Sequence, residues 1–236
     1  MCGVSGFIGK TSPDKDREAI LKAMMDKIIH RGPDQEGMFV DEQVALGFRR
    51  LSIIDLDHGL QPMFNETKDV VIVFNGEIYN HLELREDLMA KGHVFANNAD
   101  TESLIHGYEE YGVDLLSKVR GMFAFVIYDM KKDLIFAARD FFGIKPFYYS
   151  NLDGNFIFSS EIKSILAYPD IKREVNEEIA EEKMDDKKDD EEQVIRIEAL
   201  NSSPMAFKDV SGKDDWRNLH GDRFWKYLAD HPEITR

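Results

Sequence analysis

The chain has 236 residues, 45 acidic against 30 basic side chains, a formal charge of −15 and a single cysteine. This balance excludes a phosphate-backbone binder, whose affinity comes from Lys and Arg, and one cysteine rules out an internal disulfide, leaving a free thiol suited to a reducing cytoplasm. No apolar run reaches the roughly 18 residues of a membrane span, so neither nucleic-acid nor membrane partners are expected, and the apolar content of 43% with 16 Phe supports a sizeable core.

In chain order, the first stretch is the most informative. Cys2 follows only Met1, and Gly3, Gly6 and Gly9 punctuate a short strand over Val4–Ile8. If Met1 is removed, Cys2 carries a thiol and a free α-amine on one residue. A thiolate attacks carbonyl carbon well but a free Cys (pKa about 8.5) needs a base. An α-amine titrates near about 7.7–8.0 and can supply it. Position alone does not decide the matter, because a lone cysteine is more often an inert buried residue.

Pro13-Asp14 is expected to open a helix with Leu21, Met24, Met25 and Ile28 on its inner face, ending in the His30-Arg31-Gly32-Pro33-Asp34 turn. Strands are expected at Gly37–Val40 and Val44–Ile54. The second contains Arg49 and Arg50, which point to opposite faces, so at most one of them serves any given site. Such an arginine is either a carboxylate clamp or a solvent salt bridge.

Val70–Phe74 is an unbroken apolar run that reads as a strand buried on both faces. It is expected to end in a turn at Asn75-Gly76, before a helix from His81 to Leu88. A strand–turn–helix junction there would expose an amide side chain and a backbone N–H, two donors able to hold an oxyanion. Asn97–Glu102 has the form of a capping stretch before a helix over Ser103–Tyr111 with Leu104, Ile105 and Tyr108 inward. Paired strands follow at Val119–Tyr128 and Leu134–Ala138, then at Pro146–Ser150 and Phe156–Ser159. This pattern points to antiparallel sheets packed face to face under helices, an α+β arrangement.

After Val175 the composition changes. Glu174–Glu192 holds eleven acids and three lysines, the signature of a solvated connector. Trp216, Phe224, Trp225, Tyr227 and Leu228 then cluster in a polar tail, either anchoring a partner or packing back on the domain.

Eight segments, MCGVSGF, HRGPD, RRLSIID, FNGEIYNH, DTE, GMFAFVIYD, RDFFGIKPFYY and SSEIKSI, occur in order from Met1 to about Val175. Together they closely resemble the glutaminase domain of glutamine-hydrolysing asparagine synthetases, the class II, N-terminal-nucleophile glutamine amidotransferases. The resemblance implies a four-layer α/β/β/α sandwich of two antiparallel sheets, the N-terminal-nucleophile hydrolase fold. It implies hydrolysis of L-glutamine to L-glutamate and ammonia through a thioester on Cys2. Asn75 and Gly76 would form the oxyanion hole, Arg50 would hold the substrate α-carboxylate and Asp100 its α-ammonium. Leu51, Ile53, Ile54 and Glu77 would line the pocket, with the Arg31–Asp34 turn and Arg139–Pro146 as scaffold or tunnel wall.

The resemblance stops short of an ATP-using synthetase domain. Residues 1–175 are expected to be the amidotransferase domain and 176–236 an acidic connector with a divergent tail. Ser211-Gly212-Lys213-Asp214-Asp215 only partly matches the synthetase nucleotide loop. No metal or cofactor is expected in this chain, ATP and Mg belonging to a separate ammonia-accepting synthetase domain or partner. Two other readings remain open at this point: an idle amino-acid-binding or assembly module, and a class II amidotransferase serving another acceptor.

Overall fold

The computed structural model describes residues 1–9, 16–51, 59–152, 154–169, 171, 198–199 and 205–208. Two antiparallel sheets lie face to face. The first has the order β10-β8-β9-β1-β3-β2 and the second β11-β7-β6-β5-β4. Their strands are β1 (Gly3–Ile8), β2 (Gln35–Val40), β3 (Val44–Arg50), β4 (Met63–Phe64), β5 (Val70–Ile78), β6 (Gly121–Asp129), β7 (Leu134–Arg139), β8 (Tyr148–Leu152), β9 (Asn155–Ser159), β10 (Glu198–Ala199) and β11 (Met205–Lys208). Helices α1 (Arg17–Asp26) and α4 (Ile162–Ile165) cover the outside of the first sheet; α2 (His81–Ala90) and α3 (Asp100–Tyr111) cover the second.

Strand alternation builds these layers. Val4 and Ile8 of β1, Val44, Leu46 and Phe48 of β3, and Val71 and Val73 of β5 all enter the core between the sheets. The intervening Phe7 and Ala45 turn outward onto Leu21, Met24 and Met25 of α1. On the second sheet Ile72, Phe74, Phe125 and Phe136 turn outward onto Leu104, Ile105 and Tyr108 of α3. Each sheet is therefore apolar on both faces, and only a helix layer on each outer face satisfies that. The result is the expected α/β/β/α sandwich.

Several boundaries differ from expectation. Helix α1 is capped by Asp16, whose Oδ1 accepts the N–H groups of Glu18 and Ala19 at 3.0 and 3.2 Å; such a cap stabilises by about 1 kcal/mol. Pro13 and Asp14 lie outside the described residues. Strand β3 stops at Arg50. Helix α3 begins at Asp100, three residues earlier than expected, and its N-cap residue Ala99 makes no side-chain capping bond. The largest correction concerns β5. It does not end at Phe74 but continues to Ile78, with Asn75 opposite Ala124 and Gly76 opposite Phe123 of β6. The Asn-Gly turn preference gives way to ladder pairing with β6, and the chain turns only at Tyr79-Asn80. Beyond residue 175, β10 pairs with β8 and β11 with β7, adding one edge strand to each sheet.

Candidate active site

Cys2 stands at the open end of β1, a central strand of its sheet, and its parity with Val4 and Ile8 turns it toward the space between the sheets. It packs, half-buried, against the core there. Its Sγ lies 3.9 Å from the Leu51 carbonyl oxygen. Arg31 fixes its main chain: Nε donates to the Cys2 carbonyl at 3.1 Å, while Nη1 pairs with Glu161 Oε1 at 3.1 Å. The sequence marked the Arg31 turn as scaffold, and only the fold reveals that it scaffolds Cys2 itself. Glu161 is held below the usual carboxylate range: burial opposes ionisation, but hydrogen bonds from Lys163, Arg31 and His30 prevail.

The arginine pair separates as the alternation requires. Arg49 turns outward to ion-pair with Asp26 and Glu36 near α1. Arg50, with the parity of Phe48, turns toward the inter-sheet side and is 8% exposed. The β1–β3 register places Gly3 opposite Arg49, so the next step along each strand brings Cys2 beside Arg50. Arg50 Nη1 donates to Gln35 Oε1 at 3.0 Å.

Asn75 shares the parity of Val71 and Val73, which puts its side chain on the same inter-sheet face as Cys2. It is 2% exposed, and its Nδ2 has no hydrogen-bond partner among the described residues. A buried amide donor left unmade costs roughly 1–3 kcal/mol, so such an atom marks a place for a ligand's acceptor.

The Gly76 N–H supplies a second donor, for a reason that lies in the ladder. Phe123, its partner on β6, directs both main-chain groups the other way, to Asp140: its N–H to Oδ2 at 3.2 Å and its oxygen to the Asp140 N–H at 2.8 Å. Gly76 therefore points its N–H away from β6, toward the edge where two-residue β4 has already ended. On that edge the Phe74 N–H donates to Gln61 Oε1 at 2.6 Å and the Ile78 N–H to Asp100 Oδ2 at 2.9 Å. The Gly76 N–H sits between these two filled positions. Glycine is required here, since a Cβ would lie 2.3 Å from the Met122 oxygen.

Asp100 is thus bound to β5 through Ile78. Burial raises its pKa above the ordinary carboxylate value, partly offset by hydrogen bonds from Ile78 and Thr101; the nearby Glu77 charge raises it further. Glu77 is exposed, on the same face of β5 as Asn75. Gly59 bridges the two charged groups: a Cβ there would be 3.9 Å from Arg50 Nη2 and 3.7 Å from Ala99, the residue before Asp100. Cys2, Arg50, Leu51, Asn75, Gly76, Glu77 and Asp100 therefore gather at one end of the sandwich. Ile53 and Ile54 lie outside the described residues, as do the 211–215 segment and the tail aromatics.

Among the described residues, one group has metal-ligand geometry, His93, His106 and Glu109, with ligand atoms within 4.8 Å of one another. His106 Nδ1 already pairs with Glu109 Oε2 at 2.9 Å. Burial lowers the His106 pKa, but the Glu109 hydrogen bond and the charges of Glu66, Glu109 and Glu102 outweigh it and raise the value above 6.5. No helix among the described residues is long and apolar enough to cross a membrane.

Comparison with known proteins supplies an independent line. The family description of the glutamine amidotransferase domain matches residues 1–212. Asparagine synthetase [glutamine-hydrolyzing] 1 of Bacillus subtilis (strain 168) is 47% identical over 169 residues, covering 71% of this chain and 27% of that protein. The putative asparagine synthetase [glutamine-hydrolyzing] 2 of Methanocaldococcus jannaschii is 43% identical over 196 residues, covering 75% of this chain and 37% of the relative. The solved glutamine phosphoribosylpyrophosphate amidotransferase of B. subtilis, complexed with ADP and GMP, superposes with a TM-score of 0.60 at 20% identity, over 71% of this chain and 43% of that one. That likeness shows the shared fold of two face-to-face antiparallel sheets between helix layers. This chain spans about a quarter of the length of the B. subtilis asparagine synthetases it matches.

Proposed function

This chain belongs to the glutamine amidotransferase domain family, and from that premise we propose that it splits L-glutamine at Cys2 and passes on the ammonia. The observation that carries the reading is the pair of donors on β5, buried Asn75 Nδ2 and the edge-facing Gly76 N–H, beside a strand that ends in a cysteine.

Met1 is excised and the liberated α-amine of Cys2 takes the thiol proton. Sγ attacks the carboxamide carbon, and the carbonyl oxygen becomes an oxyanion that accepts hydrogen bonds from Asn75 Nδ2 and the Gly76 N–H. The α-ammonium returns its proton to the leaving nitrogen, the C–N bond breaks and ammonia departs, leaving a γ-glutamyl thioester. Water, deprotonated by the same amine, then adds to the thioester; glutamate leaves and the thiol re-forms. Arg50 pairs with the substrate α-carboxylate and Asp100 with its α-ammonium, so a free amino acid is held at both ends. Leu51 and Glu77 border the pocket. The chemistry calls on no metal or cofactor from this chain.

In a soluble cytoplasmic setting the ammonia goes to an aspartate-activating, ATP- and Mg-dependent synthetase domain of the kind found in asparagine biosynthesis, supplied by a further segment or a partner. The catalytic part of the amidotransferase unit lies within residues 1–175, and beyond the acidic connector β10 and β11 add an edge strand to each of its sheets. The test is glutamate and ammonia release from glutamine by the purified chain, with intact mass to establish Met1 removal. Turnover is expected in the processed protein and none in Cys2→Ala. A processed, folded chain that neither turns over glutamine nor is labelled at Cys2 by a glutamine-like electrophile overturns the reading.

A further inference from the structure

Asp100 begins α3, and the loop that delivers it, residues 92–99, contributes no side-chain cap at Ala99. The exposed N–H groups of that loop are satisfied from within the helix. Glu102 folds back so that Oε1 accepts the Ala96 N–H at 2.6 Å and Oε2 accepts the Asn97 N–H at 2.9 Å. Asn97 in turn is held from two sides, its carbonyl by Arg85 Nη1 at 2.5 Å and its Oδ1 by the Ala99 N–H at 2.7 Å. Behind Glu102, His106 Nε2 lies 3.8 Å from Oε1, one helical turn away. Glu102 is 6% exposed, and both of its oxygens are committed to the loop.

From this geometry we propose that Glu102 is the positioning residue for glutamine recognition. It clamps the 96–97 backbone so that the Asp100 carboxylate is presented to the substrate α-ammonium. This rests on the reading of Asp100 as the ammonium-binding residue. A carboxylate is required because it offers two acceptors. An amide in the same place offers one acceptor and turns an NH2 group toward a backbone N–H, leaving two donors face to face. Asp100 keeps its bond to Ile78 in either case, so the effect falls on how the loop side of Asp100 is set. Glu102 touches neither the nucleophile nor the oxyanion donors.

The experiment is steady-state glutamine hydrolysis by the processed full chain carrying Glu102→Gln, Asp100→Asn or both. A second substrate, 4-carbamoylbutanoate, is glutamine without its α-ammonium. Glu102→Gln is expected to raise KM for glutamine roughly tenfold or more with kcat changed less than twofold, and to leave KM for the deaminated substrate unchanged. The double variant is expected to be no worse than Asp100→Asn alone, because Glu102 acts through Asp100. If Asp100→Asn leaves KM for glutamine unchanged, the assignment of Asp100 fails first. If Asp100→Asn raises KM but Glu102→Gln does not, or raises it equally for both substrates, the positioning role is overturned. Should Glu102→Gln not fold, Ala96→Pro, which deletes one of the accepted N–H groups, is read in the same assay with the same expectations.

Discussion

Asn75 carries a buried polar group and Asp100 a half-buried one, both uncomfortable, and each discomfort has a measurable sign. The amide of Asn75 is enclosed with an unused donor. Asn75→Ala is expected to lower kcat about 10²–10³-fold, equivalent to about 2.7–4 kcal/mol of lost oxyanion stabilisation, with little change in KM; steady-state kinetics checks it. Asp100 is a carboxylate that burial makes harder to ionise. Its folded pKa lies above the unfolded value of 3.8, so ionisation costs folding stability. That cost is absent below pH 3.8 and complete once the pH exceeds the raised folded value. Asp100→Asn, which keeps an acceptor for the Ile78 N–H, should therefore be more stable than the parent at neutral pH. The difference should vanish in acid, as read by urea denaturation at both pH values. A gain in stability paired with a loss of glutamine affinity would mark Asp100 as a functional residue held against the preference of the fold.

At the scale of elements, the alternation rule accounts for most of what the sequence made legible. The opposed arginines of β3, the buried run of β5 and the inner face of α1 all follow from periods of two and 3.6 applied to local sequence. The error at Asn75-Gly76 has the opposite origin. Whether Asn-Gly turns or stays extended is decided by β6, some 45 residues later in the chain, and no local pattern carries that pairing. The open edge that makes Gly76 a donor is equally non-local, since it depends on β4 being two residues long. The His106 cluster also escaped, because its members come from α3, the loop before it and the β4–β5 connection. Facing His106 are Glu102 and Glu109 of α3, Glu66 beside β4, and the His93 ring. The His106 contribution is present below its unfolded pKa of 6.5 and is lost as pH rises through the raised folded value. Desolvation raises the pKa of Glu109, on the exposed side of α3, but hydrogen bonds from His106 and Asn65 outweigh it and lower the value; its contribution is present above 4.5 and is lost as pH falls. Together they predict an extra increment of stability between pH 4.5 and 6.5. His106→Gln should remove that increment, giving a flatter profile of melting temperature against pH.

Over the whole molecule, Cys2, Arg50 and the β5 donors lie toward one end because three strands from two sheets terminate or open there, in a sandwich whose interior is mainly apolar. The same architecture has a consequence at its flanks. Strands β10 and β11 are separated by only five residues in sequence, yet one closes the first sheet beside β8 and the other closes the second beside β7. A chain cut back to residue 175 would lose both flanks together and bare a row of unpaired peptide groups on β8 and another on β7. Such rows are templates for self-association. A protein ending at residue 175 should therefore elute as dimers or larger species on size exclusion where the 236-residue chain does not, making the two short strands beyond the acidic stretch a guard against stickiness.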